Sequence, residues 1–108
     1  MPQLTIRGIE PGQVQAVAAD LVEDLAKIMD SPTDYFTIDC ISTISFENGQ
    51  LAPTFPFVQV GWFDRGQDIQ DLSAKAIDRH FKSAGIEALE VVFIPFIENN
   101  YYSDGEHY

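Results

Sequence analysis

Met1-Pro2-Gln3-Leu4-Thr5-Ile6-Arg7-Gly8 opens the chain, and the remaining sequence can be interpreted as support for this segment. Leu4 and Ile6 alternate with polar residues, which is the period of a strand with one buried face, and Gly8 ends the pattern. If Met1 is removed, Pro2 presents a secondary amine at the start of a rigid element. Because such an amine can accept a proton, Pro2 is the first candidate for a catalytic residue.

A helix and a second strand are predicted after this segment. Pro11 can occupy the first turn of the helix, and apolar residues then recur at spacings of three and four as far as Ile28. Asp30-Ser31-Pro32 ends it, because proline disfavours helical geometry in the residue before it. From Tyr35 to Phe46 the alternating pattern predicts one long half-buried strand, with Cys40 as a core residue.

The second half of the chain repeats this order. Asn48-Gly49 predicts a hairpin turn with a brief return, which prolines end. Phe57 to Phe63 is a predicted strand, followed by an amphipathic helix with Asp68 as its candidate N-cap and Gly85 as its stop. The segment from Leu89 to Phe96 is a predicted fourth strand, and it is so apolar that both of its faces are expected to be buried. A polar tail, residues 98–108, completes the chain.

These elements predict an α+β fold of two layers in one domain, residues 1–108. Two βαβ units, at about 2–46 and 56–97, would form a four-stranded mixed sheet with two helices on one face. The other face of the sheet stays bare and offers Ile41, Phe57 and Phe63, so we expect self-association. The order alone also fits a ferredoxin-like regulatory domain.

The charge of the chain limits its partners. Seventeen acidic residues against six basic ones give a net charge of -11, which repels nucleic acid and anionic membrane surfaces. No apolar run approaches the roughly 20 residues that span a bilayer, and no signal peptide pattern is present. The single cysteine cannot form an internal disulfide. We therefore expect a cytoplasmic protein that binds neither nucleic acid nor membrane.

Met1-Pro2 at the start of the first strand, the doubled βαβ plan and the length of 108 residues resemble the tautomerase superfamily. That group contains 4-oxalocrotonate tautomerase and macrophage migration inhibitory factor (MIF). The runs Trp62-Phe63-Asp64-Arg65-Gly66-Gln67, Asn100-Tyr101-Tyr102 and Gly105-Glu106-His107 are similar to an uncharacterised bacterial family within it. The resemblance implies a tautomerase/MIF-like fold and a homotrimer packed through the bare sheet faces. It also implies an active site at each subunit boundary with Pro2 at its floor.

The resemblance further implies that Pro2 is a general base acting on a small carboxylate substrate, a 2-oxo or unsaturated acid. Arg65 lies in the loop before the second helix, where relatives carry substrate-clamping arginines. A guanidinium there can grip a carboxylate or polarise a carbonyl. The alternative for Arg65 is a structural salt bridge to a nearby acid: Asp64, Asp68 or Asp71.

Four further residues are candidates for substrate binding. Arg7 can line the pocket, although pairing with an acid inside the trimer is the favoured interpretation. Tyr101 or Tyr102 can donate a hydrogen bond and Glu106 can orient water, but tyrosines also pack at subunit boundaries. We expect no cofactor and no metal ion, because His107 with Asp104 and Glu106 is only a weak metal signal. The competing function is a non-catalytic trimeric binding or scaffold protein.

Overall fold

A computed structural model describes all of residues 1–108. It contains two α-helices, eight strands and two short 3₁₀ turns. The elements in chain order are β1 Gln3–Arg7, α1 Pro11–Met29, β2 Thr37–Ile41, β3 Ser45–Glu47, β4 Gln50–Ala52, β5 Phe57–Trp62, α2 Gln67–Ser83, β6 Glu90–Pro95, β7 Tyr102–Ser103 and β8 Glu106–His107. The 3₁₀ turns are Thr33–Tyr35 and Glu98–Asn100.

The main sheet has the order β2-β1-β5-β6. β1 pairs in parallel with β2, β5 pairs in parallel with β6, and the central pair β1–β5 is antiparallel. The two strands of each βαβ unit are therefore neighbours, whereas a ferredoxin-like sheet separates them by a strand of the other unit. The predicted four-stranded mixed sheet is confirmed, and the ferredoxin-like alternative is excluded.

The core lies between this sheet and the two helices. One face of the two central strands is almost fully buried through Leu4, Ile6, Val58, Val60 and Trp62. The apolar stripe predicted for the first helix faces them, since the buried residues of α1 recur every three or four positions. The inner residues of α2 include Ala76, Ile77 and Phe81. The sequence pattern thus places both helices on one side of the sheet.

The prediction of one long strand from Tyr35 to Phe46 was wrong. Regular pairing stops at Ile41, because the neighbouring strand β1 ends at Arg7 and Gly8 turns the chain away with φ 77°. The segment after Ile41 instead forms the separate two-stranded hairpin β3–β4. Cys40 is exposed in the single chain, and its Sγ lies 3.4 Å from the Ile9 carbonyl oxygen. The expectation that Cys40 is a core residue was therefore also wrong.

The second helix begins at Gln67, before the predicted N-cap Asp68. Gly66 takes the cap position with φ 93°, a conformation that favours glycine. Its N–H donates to Oδ1 of Asp64 at 2.8 Å. Asp68 therefore lies in the first turn, where its negative charge stabilises the helix dipole.

The helices leave the opposite side of the sheet uncovered, and we call this side the open face. It is formed by alternate residues of the four strands: Gln3, Thr5, Arg7, Thr37, Asp39, Ile41, Phe57, Gln59, Gly61, Glu90, Val92 and Ile94. Ile41 and Phe57 lie there as predicted. Phe63 follows the end of β5 on the same side and packs there in an aromatic cluster described below. The open face is thus a mixed polar and apolar surface.

The duplication is visible in the hydrogen bonds of the backbone. The carbonyl of Pro2, just before β1, accepts from Thr37 N–H at 3.1 Å. The carbonyl of Pro56, just before β5, accepts from Glu90 N–H at 3.2 Å. Each unit is followed by a hairpin, β3–β4 after the first and β7–β8 after the second. Because β1 and β5 are antiparallel, Pro2 and Pro56 mark opposite ends of the sheet, which we call the Pro2 end and the Pro56 end.

Candidate active site

Pro2 lies buried at the start of the central strand β1. Its side chain is less than 2% exposed. In the strand register it comes one position before the Gln3–Thr37 and Gln3–Gly61 pairs, which places it between Phe36 and Trp62. The candidate base therefore sits in an apolar environment, at the floor of this end of the sheet.

Arg65 lies beside this position, because β5 runs antiparallel to β1 and ends at the Pro2 end. Its guanidinium stacks over the Trp62 ring, with Cζ 5.4 Å from the ring centroid. Nη1 donates to the Phe63 carbonyl at 2.7 Å, and Nη2 donates to Oγ of Ser31 at 3.4 Å. These contacts hold the guanidinium at the edge of the core on the helix side of the sheet.

Arg65 forms no ion pair in this chain. The ion pairs are Arg79–Asp24, His80–Asp24 and Lys82–Asp78, all on the helices. The acids next to Arg65 in sequence are turned to other partners, since Asp64 accepts from Gly66 and Asp71 accepts from Gln67. The structural salt bridge considered as the alternative for Arg65 is therefore absent from this chain. The guanidinium remains available to bind another anion.

The chain-terminal amine shares the environment of Arg65. Burial lowers the pKa of the Met1 amine below its ordinary value, and the nearby positive charge of Arg65 lowers it further. Burial also lowers the pKa of the Arg65 guanidinium. The folded chain therefore favours the neutral amine. Protonation of this amine destabilises the fold fully below the lowered, folded-state pKa, and the effect disappears as the pH rises from that value to the ordinary pKa.

An aromatic cluster closes the open-face side of the Pro2 end. Phe63 contacts Phe96, Tyr101 and Tyr108 at ring centroid distances of 5.3 to 5.8 Å. Tyr101 also contacts Phe96 and Tyr108, and its hydroxyl accepts a hydrogen bond from Nε2 of Gln3 at 3.2 Å. Two of the three tail tyrosines therefore pack onto the end of the sheet that carries Pro2.

The structure separates the remaining candidates from Pro2 within one chain. Arg7 ends β1, five residues from Pro2, which is roughly 16 Å at the rise of a strand. Tyr102 stacks on His107 at 4.6 Å, and both lie with Glu106 in the exposed β7–β8 hairpin. Sequence reasoning missed Ser31 and Gln3, whose partners, 34 and 98 residues away, leave no local sequence signal.

These features define the class of fold: two βαβ units that share one four-stranded mixed sheet, which is the tautomerase/MIF-like fold. A family model described as "Domain of unknown function (DUF1904)" matches residues 1–107, and the chain belongs to this family. A DUF1904 structure from Sebaldella termitidis is 34% identical over 100% of both chains, with a TM-score of 0.92. A protein of unknown function from Vibrio cholerae is 32% identical over 99% of this chain and 87% of that one, with a TM-score of 0.87.

More distant structures share the fold. The protein named Pt0534, described as inactivated by 2-oxo-3-pentynoate, is 13% identical over 97% of this chain and 94% of that one, with a TM-score of 0.78. Fused 4-OT, MIF-like and cis-3-chloroacrylic acid dehalogenase family structures also match. These matches confirm the predicted tautomerase/MIF-like fold, and the family match confirms the resemblance to an uncharacterised family. No curated protein matches the chain, and neither helix is long and apolar enough to cross a membrane.

Proposed function

We propose that this protein is a tautomerase-like enzyme in which Pro2, freed by removal of Met1, acts as the general base. Its substrate is a small 2-oxo or unsaturated carboxylic acid. The observation that carries the proposal is Arg65, a partly buried guanidinium without an ion-pair partner beside the chain-terminal amine. An amine next to an unpaired cation is the pairing of groups that proton transfer beside a carbonyl needs.

The two groups divide the chemistry between them. After removal of Met1, the Pro2 amine would meet the burial and the Arg65 charge that act on the Met1 amine, and in its neutral form it takes a proton from the carbon next to the carbonyl. Negative charge then develops on the carbonyl oxygen, and the guanidinium meets this oxygen or holds the neighbouring carboxylate through two parallel hydrogen bonds. The protonated amine returns its proton to another position, which completes the tautomerisation.

The fold relatives support the substrate class and the assembly. Pt0534 is described as inactivated by 2-oxo-3-pentynoate, which is a small unsaturated 2-oxo acid. A fused 4-OT is described as an asymmetric trimer. We extend both properties to this chain, as a substrate class and as a homotrimer packed through the open face. The uncovered apolar residues of this face, Ile41, Val92 and Ile94, favour such packing.

The substrate-binding roles of the other candidates follow from this assembly. Tyr101 lines the Pro2 end of its own subunit through its contact with Gln3. Arg7, Tyr102 and Glu106 lie away from Pro2 in one chain, so their roles require a neighbouring subunit to bring them to the site. In the same way, Arg7 can pair with an acid of that neighbour.

The proposal is tested by the rate of ketonisation of phenylenolpyruvate. The untagged protein, with loss of Met1 confirmed by mass, is compared with Pro2→Ala and with a form that retains Met1. We expect both changes to lower the rate roughly 100-fold or more, because general-base catalysis contributes at least that much. The matched control is Pro56→Ala, which alters the duplicate proline and leaves the rate within about twofold.

Equal rates in all four proteins would remove Pro2 as the base. A rate at background in the processed protein would favour the second candidate, a non-catalytic trimeric binding protein. The net charge of -11 favours this candidate, because it repels small anions from the surface as a whole.

A further inference from the structure

The Pro56 end of the sheet carries a groove of about 690 Å³ between the open face and the β3–β4 hairpin. Arg7, Phe57 and Glu90 form its wall on the sheet, and their backbones are direct neighbours in the strand register. The hairpin and the segment after it supply Phe46, Glu47 and Phe55. Phe46 and Phe55 are 66% and 51% exposed, so the groove presents aromatic surface to solvent.

The duplication identifies the counterpart of this groove at the Pro2 end. In the antiparallel pair β1–β5, Gln3 pairs with Gly61 and Arg7 pairs with Phe57. When the second βαβ unit is superposed on the first, Gly61 therefore takes the position of Arg7. There the ring of Phe96 lies so close to Gly61 that a Cβ atom at position 61 would overlap it. At the Pro2 end, the chain's own aromatic residues fill the position.

At the Pro56 end, no aromatic ring of the chain occupies the equivalent position. Phe96 follows Ile94 by two residues, and its counterpart two residues after Ile41 is Thr43, a small residue that hydrogen bonds to Thr54 at 2.7 Å. The glycine is replaced by Arg7, whose guanidinium lies over the Phe57 ring at 4.9 Å. The groove thus stays open and holds a cation that forms no ion pair in its own chain.

We infer that this groove is a second ligand site, which binds a free 2-amino acid with an apolar or aromatic side chain. The charges of the wall select this class. Arg7 offers a guanidinium fork to a carboxylate. Glu47 and Glu90, which also form no ion pairs, make the wall net negative and offer partners to an ammonium group. A simple carboxylate would satisfy Arg7 but face two unpaired glutamates, whereas a zwitterion satisfies both signs.

The aromatic side chains complete the site. Phe46 and Phe55 remain exposed, and an apolar ligand side chain would remove their surfaces from water. The site has no catalytic base, because the nitrogen of Pro56 belongs to a peptide bond. The inference therefore concerns binding alone. It does not depend on whether Pro2 is catalytic, but it requires that the proposed homotrimer leave Arg7 open to the ligand.

The test uses the intact protein and three probes: L-phenylalanine, 3-phenylpropionate and phenethylamine. The zwitterion has both charged groups, and each of the others has one. Binding is followed by amide chemical shifts in NMR spectra and by calorimetry, with Arg7→Gln as the test variant and Arg79→Gln, on the helix side of the sheet, as its matched control. We expect L-phenylalanine to bind at least tenfold more tightly than 3-phenylpropionate or phenethylamine. We also expect it to shift the amide resonances of Arg7, Phe57 and Glu90. Arg7→Gln should weaken this binding about tenfold or more, since a bidentate charged contact is lost.

Three outcomes would overturn the inference: no binding of L-phenylalanine at millimolar concentration, equal binding of the three probes, or binding that Arg7→Gln leaves unchanged. The competing occupant of the groove is a second copy of the chain, because the groove continues onto the open face. Sedimentation of the same variants separates the two. If Arg7→Gln dissociates the assembly while none of the probes binds to the unsubstituted protein, Arg7 serves an interface and the inference is wrong.

Discussion

The Pro2 end and the Pro56 end of the sheet are structurally equivalent ends of the two βαβ units, but they carry different residues. Both start a central strand after a proline whose carbonyl accepts one hydrogen bond from the neighbouring parallel strand. At the Pro2 end the open face is closed by Phe96 over Gly61, and the free cation Arg65 lies on the helix side beside the chain terminus. At the Pro56 end the cation Arg7 lies on the open face, beside a groove.

The difference teaches which features the fold requires and which a site requires. Both ends keep the proline and the strand pairing, because these build the sheet. Only the Pro2 end combines a chain-terminal amine, a buried position and a guanidinium without an ion pair. We therefore place proton-transfer chemistry at one end only, and assign the other end to binding.

The largest expected effect that separates the two ends comes from filling the glycine. Gly61→Val puts a branched side chain where the Phe96 ring lies, so the ring and the tail must move. We expect a loss of about 1–3 kcal/mol in the free energy of unfolding, as for other overpacked sites. Urea denaturation followed by Trp62 fluorescence measures it.

The matched control is Arg7→Val, the same new side chain at the equivalent position of the other end. We expect it to change stability by less than about 0.5 kcal/mol, since exposed positions tolerate substitution. Equal losses of unfolding free energy in the two variants would contradict the account, because they would mean that the Phe96 ring can move away from position 61 at no cost in stability.

A smaller effect is expected from the hydroxyl that ties the tail to the Pro2 end. Tyr101→Phe removes the hydrogen bond from Gln3 and leaves the ring contacts with Phe63 and Phe96 in place. We expect a loss of about 0.5–1 kcal/mol. Tyr102→Phe is the control, because the ring of Tyr102 is exposed and stacks on His107 of the tail, and it should be neutral. A neutral Tyr101→Phe would show that the tail packs without this bond.

The smallest effect is expected where the two units meet on the helix side, away from both ends. Asp24 of α1 accepts hydrogen bonds from His80 and Arg79 of α2 at 2.9 and 2.8 Å. The bond from His80 and then that from Arg79 lower the pKa of Asp24. A lowered carboxyl pKa gives stability that is present above the ordinary value near 3.9 and is lost as the pH falls through the folded value.

Asp24→Asn should therefore cost about 0.5 kcal/mol at pH 7, as for exposed ion pairs. The difference from the unsubstituted protein should shrink as the pH falls, in denaturation curves recorded at pH 7 and pH 2. A difference that stays the same at both values would mean that the carboxylate charge is not what joins the helices here.

Much of the fold could be predicted from local patterns. Alternation marked β1 and β5, the three-and-four spacing marked α1 and α2, and Gly85 and Pro32 marked stops. The pattern failed after Ile41, because alternation continues through Phe46 while the partner strand has already ended. Strand ends depend on the neighbouring strand, which local sequence does not contain.

The site could be predicted less fully. Pro2 and Arg65 were named from their positions, but their proximity depends on the antiparallel pairing of β1 with β5. The sequence placed three acids near Arg65 along the chain, and only the structure shows that Asp64 accepts a hydrogen bond from Gly66 instead.

The most direct test of the proposed chemistry is the pKa of the Pro2 amine, measured by NMR titration of processed protein carrying ¹⁵N-labelled proline. We predict a pKa below the ordinary range of about 7.7–8.0, because this position is buried and lies beside Arg65. Arg65→Gln should raise the value toward that range, while Arg79→Gln, which removes a cation on the helix side far from Pro2, should leave it unchanged. A pKa of 8 or above that responds to neither substitution would contradict the account, because Pro2 would then be a protonated chain end and not a base.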